Sequence, residues 1–174
     1  MGYQIIVADP PWRFSSNSEA RPGRNAMRHY PCMRDEEIAA LPVPDWTDSA
    51  AMLFMWTTAP MLARSLPILD AWGFRYVSQL VWVKSRIATG FWVRNRHEIV
   101  LVAKRGKFPC PRPAPFPDSV IIAPVREHSR KPEELQDRID AAWPDHRRLE
   151  MFARRPRPGW SAWGSETQKF EGAA

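Results

Sequence analysis

The chain has 174 residues, of which 44% are hydrophobic and 25% charged; this suits one globular domain with a sizeable core and excludes a largely disordered chain. A net charge of +6 and a pI near 9.8 favour a polyanionic partner. Two cysteines, Cys32 and Cys110, lack paired spacing, which excludes a disulfide framework and a paired-cysteine zinc site and leads us to expect an intracellular, metal-free protein.

The start, Met1-Gly2-Tyr3-Gln4, has no basic region ahead of a long apolar stretch, and the run 50–56 is too short to cross a bilayer. Neither a signal peptide nor a membrane helix is expected, and the expected location is cytoplasmic. The first predicted strand, near 3–8, is a short apolar run that stops at Asp9-Pro10-Pro11-Trp12. In open α/β sheets ligands bind beyond the carboxyl ends of the strands, so this loop faces such a crevice. Its residue types suit a planar base bearing an amino group. The lone pair of that amine is delocalised into the ring, so acceptors must hold its hydrogens. Asp9 offers a carboxylate, Pro10 a fixed carbonyl without a competing N–H, and Trp12 an exposed stacking face. The competing reading is a strand ending in a Pro-Pro turn, with Trp12 in the core.

Next comes a stretch without acids between Glu19 and Asp35 that carries Arg21, Arg24, Arg28 and Arg34. Helices are predicted near 34–41 and 60–72, with a strand near 51–56 between them. Strands near 75–83 and 97–103 follow, joined by a basic, aromatic loop too short for a good crossover helix; an antiparallel pair beside parallel strands is expected. Lys84, Arg86, Arg94, Arg96, Lys104, Arg105 and Lys107 form a second basic cluster, with Phe91 and Trp92 among them. Both clusters suit contact with nucleic-acid phosphates, the alternative being solvated loops.

Proline at every second position from Pro109 to Pro117 cannot pair as a central strand and reads as an extended connector. After a strand near 119–123, a helix is predicted over 132–143. Pro132 suits its first turn, Glu133 and Glu134 its positive end, and Leu135, Ile139 and Ala142 one buried face. His128-Ser129-Arg130-Lys131-Pro132 ahead of it reads as a helix cap, with Arg130 and Lys131 able to meet phosphate. His29 and His146 have no partner nearby in sequence that would make either a base. A last strand is predicted near 148–153. There are no internal repeats, and residues 1–174 read as a single domain.

Beyond the loop at Asp9, the ordered series His29-Tyr30-Pro31, Leu53-Phe54-Met55-Trp56-Thr57, Trp72-Gly73-Phe74, Val81-Trp82-Val83-Lys84, His97-Glu98, Arg105-Gly106, 125–132, 149–154 and 159–166 resembles the MT-A70 family of N6-adenine methyltransferases along nearly the whole chain. The resemblance implies a single-domain, Rossmann-like class I methyltransferase fold in permuted order, its catalytic loop preceding the donor-binding strand. The residues add a mixed sheet with an antiparallel edge hairpin. The implied activity is methyl transfer from S-adenosylmethionine, without a metal, to the N6 amino group of adenine in nucleic acid.

Asp9, Pro10, Pro11 and Trp12 would then be catalytic, and Trp12, Tyr30, Arg24, Arg28, Lys84, Arg94 and Arg96 would bind substrate. The donor would lie against Asp9, His97, Phe152, Arg154, Ser165 and Glu166, with Arg154 clamping its carboxylate and Ser165 standing where the family usually has asparagine. His97 has the competing reading of a strand-end histidine beside a carboxylate, and Tyr30 that of a loop aromatic. With only eight residues before Asp9, the part of the donor pocket that the family builds upstream is expected to be missing, replaced or supplied elsewhere. A compact chain of this kind resembles stand-alone bacterial or phage DNA enzymes, so DNA is favoured over RNA, and a second subunit or homodimer is open. The rival readings are an inactive nucleic-acid-binding scaffold of the same family, which would usually lose the acid and the aromatic of the loop, and a glutamine methyltransferase, which would typically carry Asn-Pro-Pro-Tyr.

Overall fold

The computed structural model describes residues 1–13, 32–88, 92–111, 118–127, 130–165 and 167. Tyr30, Arg21, Arg24, Arg28, His29, Phe91, His128, Ser129 and Glu166 therefore lie outside the described residues, as does most of the proline-rich connector.

One seven-stranded sheet organises the rest, in the spatial order β5-β3-β4-β2-β1-β6-β7. The strands are β1 (Tyr3–Ala8), β2 (Thr47–Thr57), β3 (Arg75–Lys84), β4 (His97–Arg105), β5 (Val120–Ala123), β6 (Arg148–Met151) and β7 (Trp160–Trp163). Helices α1 (Asp35–Ala39), α2 (Val43–Trp46), α3 (Leu62–Ala71) and α4 (Glu134–Ala142) cover its faces.

Alternation along the strands sorts the core into two layers. Ile6, Ala8, Leu53, Met55, Leu101, Leu149 and Met151 pack on one face with Ile38, Ile68, Leu69 and Trp72. Ile5, Val7, Phe54, Trp56, Val100 and Ile121 pack on the other, under Leu135, Ile139 and Trp143. A sheet covered on both faces needs apolar residues at consecutive positions, which is why β1, β2 and β4 read as unbroken apolar runs.

Strands β3 and β4 pair antiparallel, from Arg75 opposite Lys104 to Val83 opposite His97. The expected edge position is corrected. Strand β4 lies between β3 and β2 and runs antiparallel to both, while β5 adds outside β3 in parallel. The reversed strand is thus internal; because β4 runs opposite to β3, the chain leaves β4 at the end of the sheet where β3 begins, and a connection past that end lets β5 run alongside β3 in parallel and take the edge. Strand β7 was not predicted, because Trp160-Ser161-Ala162-Trp163 has no apolar run; it pairs parallel with β6, Met151 opposite Trp163. Helix α4 begins at Glu134, with Glu133 as its N-cap, and buries Leu135, Gln136 and Ile139.

Strand β4 ends at a tight turn. Gly106 has φ +60, and a Cβ there would stand 2.1 Å from the carbonyl oxygen of Ser49. Gly106→Ala is expected to cost about 1–3 kcal/mol of stability from the backbone conformation alone, read as a lower urea midpoint. An unchanged midpoint would contradict this account of the turn.

Candidate active site

With β4 reversed, the carboxyl ends of β1, β2, β3 and β6 share one edge of the sheet with the start of β4. Asp9 comes one residue after β1 and, by alternation, continues the face of Ile5 and Val7, under α4. Its carboxylate accepts from Lys131 Nζ at 2.8 and 2.9 Å. Lys131 Nζ also lies 3.4 Å from Glu98, whose other oxygen accepts from Lys84. A chain of alternating charge thus runs along the edge from Asp9 through Lys131 and Glu98 to Lys84. Arg154 approaches Asp9 from the β6 side at 3.8 Å, and Lys131 Nζ sits 5.6 Å from the centre of the Trp56 ring.

The electrostatics follow from this geometry. Burial opposes the charged form of Lys131, yet Asp9 and Glu98 hold its pKa above the ordinary lysine value. Burial likewise opposes the Glu98 carboxylate, and Lys131 and Lys84 hold it below the ordinary range. Glu150 is different. Opposite Val7 on β6, it is pushed up to about 7 by burial, with the nearby Asp9 charge adding to the effect and a hydrogen bond from Gln136 at 3.1 Å opposing it.

Asp9, Lys131, Gln136, Glu150 and Arg154 line an open cleft together with Trp56, Phe152, Arg155 and Arg157. Gln136 is buried in its wall, and its Oε1 has no hydrogen-bond partner among the described residues. Buried polar atoms are normally paired, so this orphan acceptor marks a place where a ligand's donor fits.

The Pro-Pro turn brings a correction. The N–H of Trp12 donates to the Pro10 carbonyl at 2.9 Å, and Met33 N–H donates to the Pro11 carbonyl at 2.9 Å. This folds the chain back over the sheet, so the Trp12 indole is only 4% exposed within the α1/α3 core and donates its N–H to the Trp56 carbonyl at 3.2 Å. Trp12 therefore presents no open stacking face; it anchors the loop that carries Asp9. The Pro10 carbonyl keeps a second lone pair, so its use as an acceptor is not blocked.

On the β6 side, Phe152 has φ +60, a left-handed conformation rare for a non-glycine residue. Strain of this kind clusters at functional sites. Here it is fixed by packing: the Phe152 ring meets Trp163 edge-on at 5.3 Å, and the end of β7 closes so tightly that a Cβ on Gly164 would stand 3.0 Å from the backbone of Phe152 and Ala153. Ser165 follows, exposed.

Of the remaining expected residues, His97 is half-buried at the start of β4. By alternation it lies on the opposite face from Glu98, away from the chain of charge at Asp9. Lys84 is engaged by Glu98, while Arg94 and Arg96 are exposed on the β3–β4 connection. Sequence reasoning missed Lys131, Glu98, Glu150 and Gln136 as site residues. Period-2 alternation could have placed Glu98 and Glu150 on the face of Asp9; nothing in the sequence indicates that Lys131 closes on a residue 122 positions away. Among the described residues no group of three or more histidines, cysteines or carboxylates could hold a metal ion, and no helix is long and apolar enough to cross a membrane.

Two expectations follow. A carboxyl whose pKa is higher folded than unfolded binds more protons when folded, so Glu150 lowers stability as pH rises from about 4.5 through about 7, and the cost is complete above that. Glu150→Gln should therefore raise stability by at most about 3 kcal/mol at pH 8 and leave it unchanged near pH 4, measured by urea denaturation at both values. Trp12→Ala, which empties a buried indole site, should cost about 3–5 kcal/mol; a fold of native stability would contradict the anchoring role.

Comparison with known proteins agrees with this geometry. The MT-A70 family model matches residues 3–166. The chain is 33% identical to the type II methyltransferase M.MunI of Mycoplasma sp, over 94% of this chain and 77% of that protein. It is 30% identical to the N(6)-adenosine-methyltransferase MT-A70-like protein of Arabidopsis thaliana and 29% identical to the human N(6)-adenosine-methyltransferase catalytic subunit METTL3. Each of these alignments covers 94% of this chain, which spans 24% of the plant protein and 28% of the human one. An α/β sheet with a carboxylate, a Pro-Pro turn and a charged cleft at one edge, matched from residue 3 to residue 166, has one consistent explanation: the chain belongs to the MT-A70 family of S-adenosylmethionine-dependent N6-adenine methyltransferases.

Proposed function

We propose that the chain methylates the N6 amino group of adenine in DNA, through a permuted class I methyltransferase fold in which β1 carries the catalytic loop and β6 the donor site. The observation that carries this reading is the position of Asp9, at the carboxyl end of a central strand and beside the end of β6 in one cleft. The likeness to M.MunI, a type II methyltransferase, over most of both chains supports DNA as the substrate.

The cleft suits the donor. S-adenosylmethionine supplies an electrophilic methyl group on a sulfonium, together with an amino-acid zwitterion and a ribose. Arg154 offers a guanidinium for a carboxylate, Asp9 and Glu150 offer oxygens, Gln136 Oε1 is an unused buried acceptor, and Phe152 supplies an apolar wall. Ser165 and Glu166 follow β7 and are assigned to the ribose, and His97 to the outer margin of the donor site.

Asp9 accepts a hydrogen bond from the adenine amino group and draws electron density onto the nitrogen, and the Pro10 carbonyl takes the second hydrogen. Lys131 fixes the carboxylate in place. Because the acceptors are fixed before the base arrives, orientation is set in advance of reaction. Tyr30 flanks the base, and Arg24, Arg28, Lys84, Arg94 and Arg96 belong to the nucleic-acid surface, where phosphate contacts set position without reading sequence.

Labelled methyl transfer to duplex DNA, single-stranded DNA and RNA, followed by nucleoside mass spectrometry, tests the reading. The expected product is N6-methyldeoxyadenosine; methylated adenosine in RNA alone would replace the substrate, and no product on any of them would overturn the assignment. Asp9→Asn should lower kcat by roughly 100-fold or more, in line with the loss of a fixed polar group from a preorganised site. A variant of native activity would remove Asp9 from the mechanism.

A further inference from the structure

Of the nine tryptophans in the chain, eight are buried or half-buried. Trp92 is the exception, at 99% exposed, and its neighbours Val93 and Ile87 are 71% and 53% exposed. All three sit on the connection between β3 and β4, and that connection is an extension of the ladder. Lys84 N–H donates to Arg96 O at 2.9 Å, Ala88 N–H donates to Asn95 O at 2.8 Å, and Arg96 Nε donates to Lys84 O at 3.0 Å. A stem of this kind carries an apolar group out into water, which has a cost unless something covers it.

The surroundings say what covers it. Between Lys84 and His97 the chain has no acidic residue and carries Arg86, Arg94 and Arg96, all three exposed and none in an ion pair among the described residues. A membrane-like or protein partner is poorly matched by an indole on a segment that carries three exposed guanidinium groups and no carboxylate. A polyanion with planar, stackable faces fits both features at once. The stem also springs from the ends of β3 and β4 at the reacting edge, where Lys84 at its base is tied through Glu98 and Lys131 to Asp9.

That edge poses a problem a wedge would solve. The carboxylate of Asp9 is recessed, its side chain 19% exposed, and the N6 amino group of a paired adenine lies inside the duplex. The base must leave its stack to be methylated, and the gap it leaves must be filled or the helix recloses. We propose that the β3–β4 hairpin of this chain is a strand-separating wedge: Trp92, backed by Ile87 and Val93, enters the duplex at the vacated base step while Arg86, Arg94 and Arg96 hold the flanking phosphates. The inference rests on the reading of the protein as a DNA adenine methyltransferase and adds a residue whose task is to expel the base. Architectural proteins use apolar side chains in this way to unstack a step.

The test compares wild type with Trp92→Ala and Trp92→Phe on unmethylated genomic DNA, native and heat-denatured, scoring N6-methyldeoxyadenosine by mass spectrometry. Trp92→Ala is expected to lose about 10-fold or more of the rate on duplex DNA and to stay within about 2-fold of wild type on denatured DNA, with Trp92→Phe between the two. In parallel, permanganate reactivity of thymines orphaned by base extrusion should appear with wild type and vanish with Trp92→Ala. Equal rate ratios on both DNA forms, or permanganate reactivity that survives in Trp92→Ala, would overturn the wedge. A wild-type chain that methylates neither form would instead overturn the enzymatic reading beneath it, so the two failures are told apart.

Discussion

The contact between Lys131 and Asp9 is the constraint on which the site depends. Four charges of alternating sign, Asp9, Lys131, Glu98 and Lys84, lie largely out of water along one edge of the sheet. Desolvating any one of them alone would cost several kcal/mol, so each is tolerable only because its neighbours are present. The chain of charge joins β1, β4, β3 and the segment before α4. It holds the loop at Asp9, the hairpin and the segment before α4 in one frame, beside a cleft lined by Arg154, Arg155 and Arg157.

A second set of charges secures the outer side of that frame. Glu133, at the N-cap of α4, accepts from Arg126 at 2.9 Å and is paired with Arg130 and Arg155; burial works to raise its pKa, and Arg126 and Arg155 hold it down at about 2. Asp140, near the other end of α4, binds Arg148, Arg157 and the Trp160 indole N–H. Helix α4 is therefore tied at both ends to the strands and loops on the β6–β7 side of the cleft. Arg154 and Arg155 emerge next to the strained Phe152, and strain there is affordable because β6, β7 and the Phe152–Trp163 contact leave the backbone no alternative.

Trp12 and Trp92 illustrate two uses of one side chain. Both sit in segments that read as loops, and both are large and apolar. The Pro10-Pro11 turn sends Trp12 inward, where its N–H finds the Trp56 carbonyl; the antiparallel stem at Lys84 and Arg96 sends Trp92 outward. Local backbone geometry, not residue type, decides which of the two is packing and which is available to a partner.

Much of the fold was legible in the chain itself, because it depends on short-range pattern. Apolar runs marked β1, β2, β4 and β6, and Pro132 with the acids after it marked α4 to within two residues. The loop at Asp9 stood out from its residue types, a carboxylate and two prolines at the end of an apolar run. Other features depended on partners distant in sequence. Strand β7 exists because β6 offers it a ladder, and the internal place of β4 depends on where β5 returns. The burial of Trp12 and the closing of Lys131 on Asp9, 122 residues away, depend on how the sheet brings its edges together. The sequence by itself determined most of the elements and the chemical character of the loop at Asp9, whereas tertiary structure alone decided which charges meet, because hydrogen bonds and ion pairs require contact at about 3 Å and periodicity carries no information about contacts between remote strands.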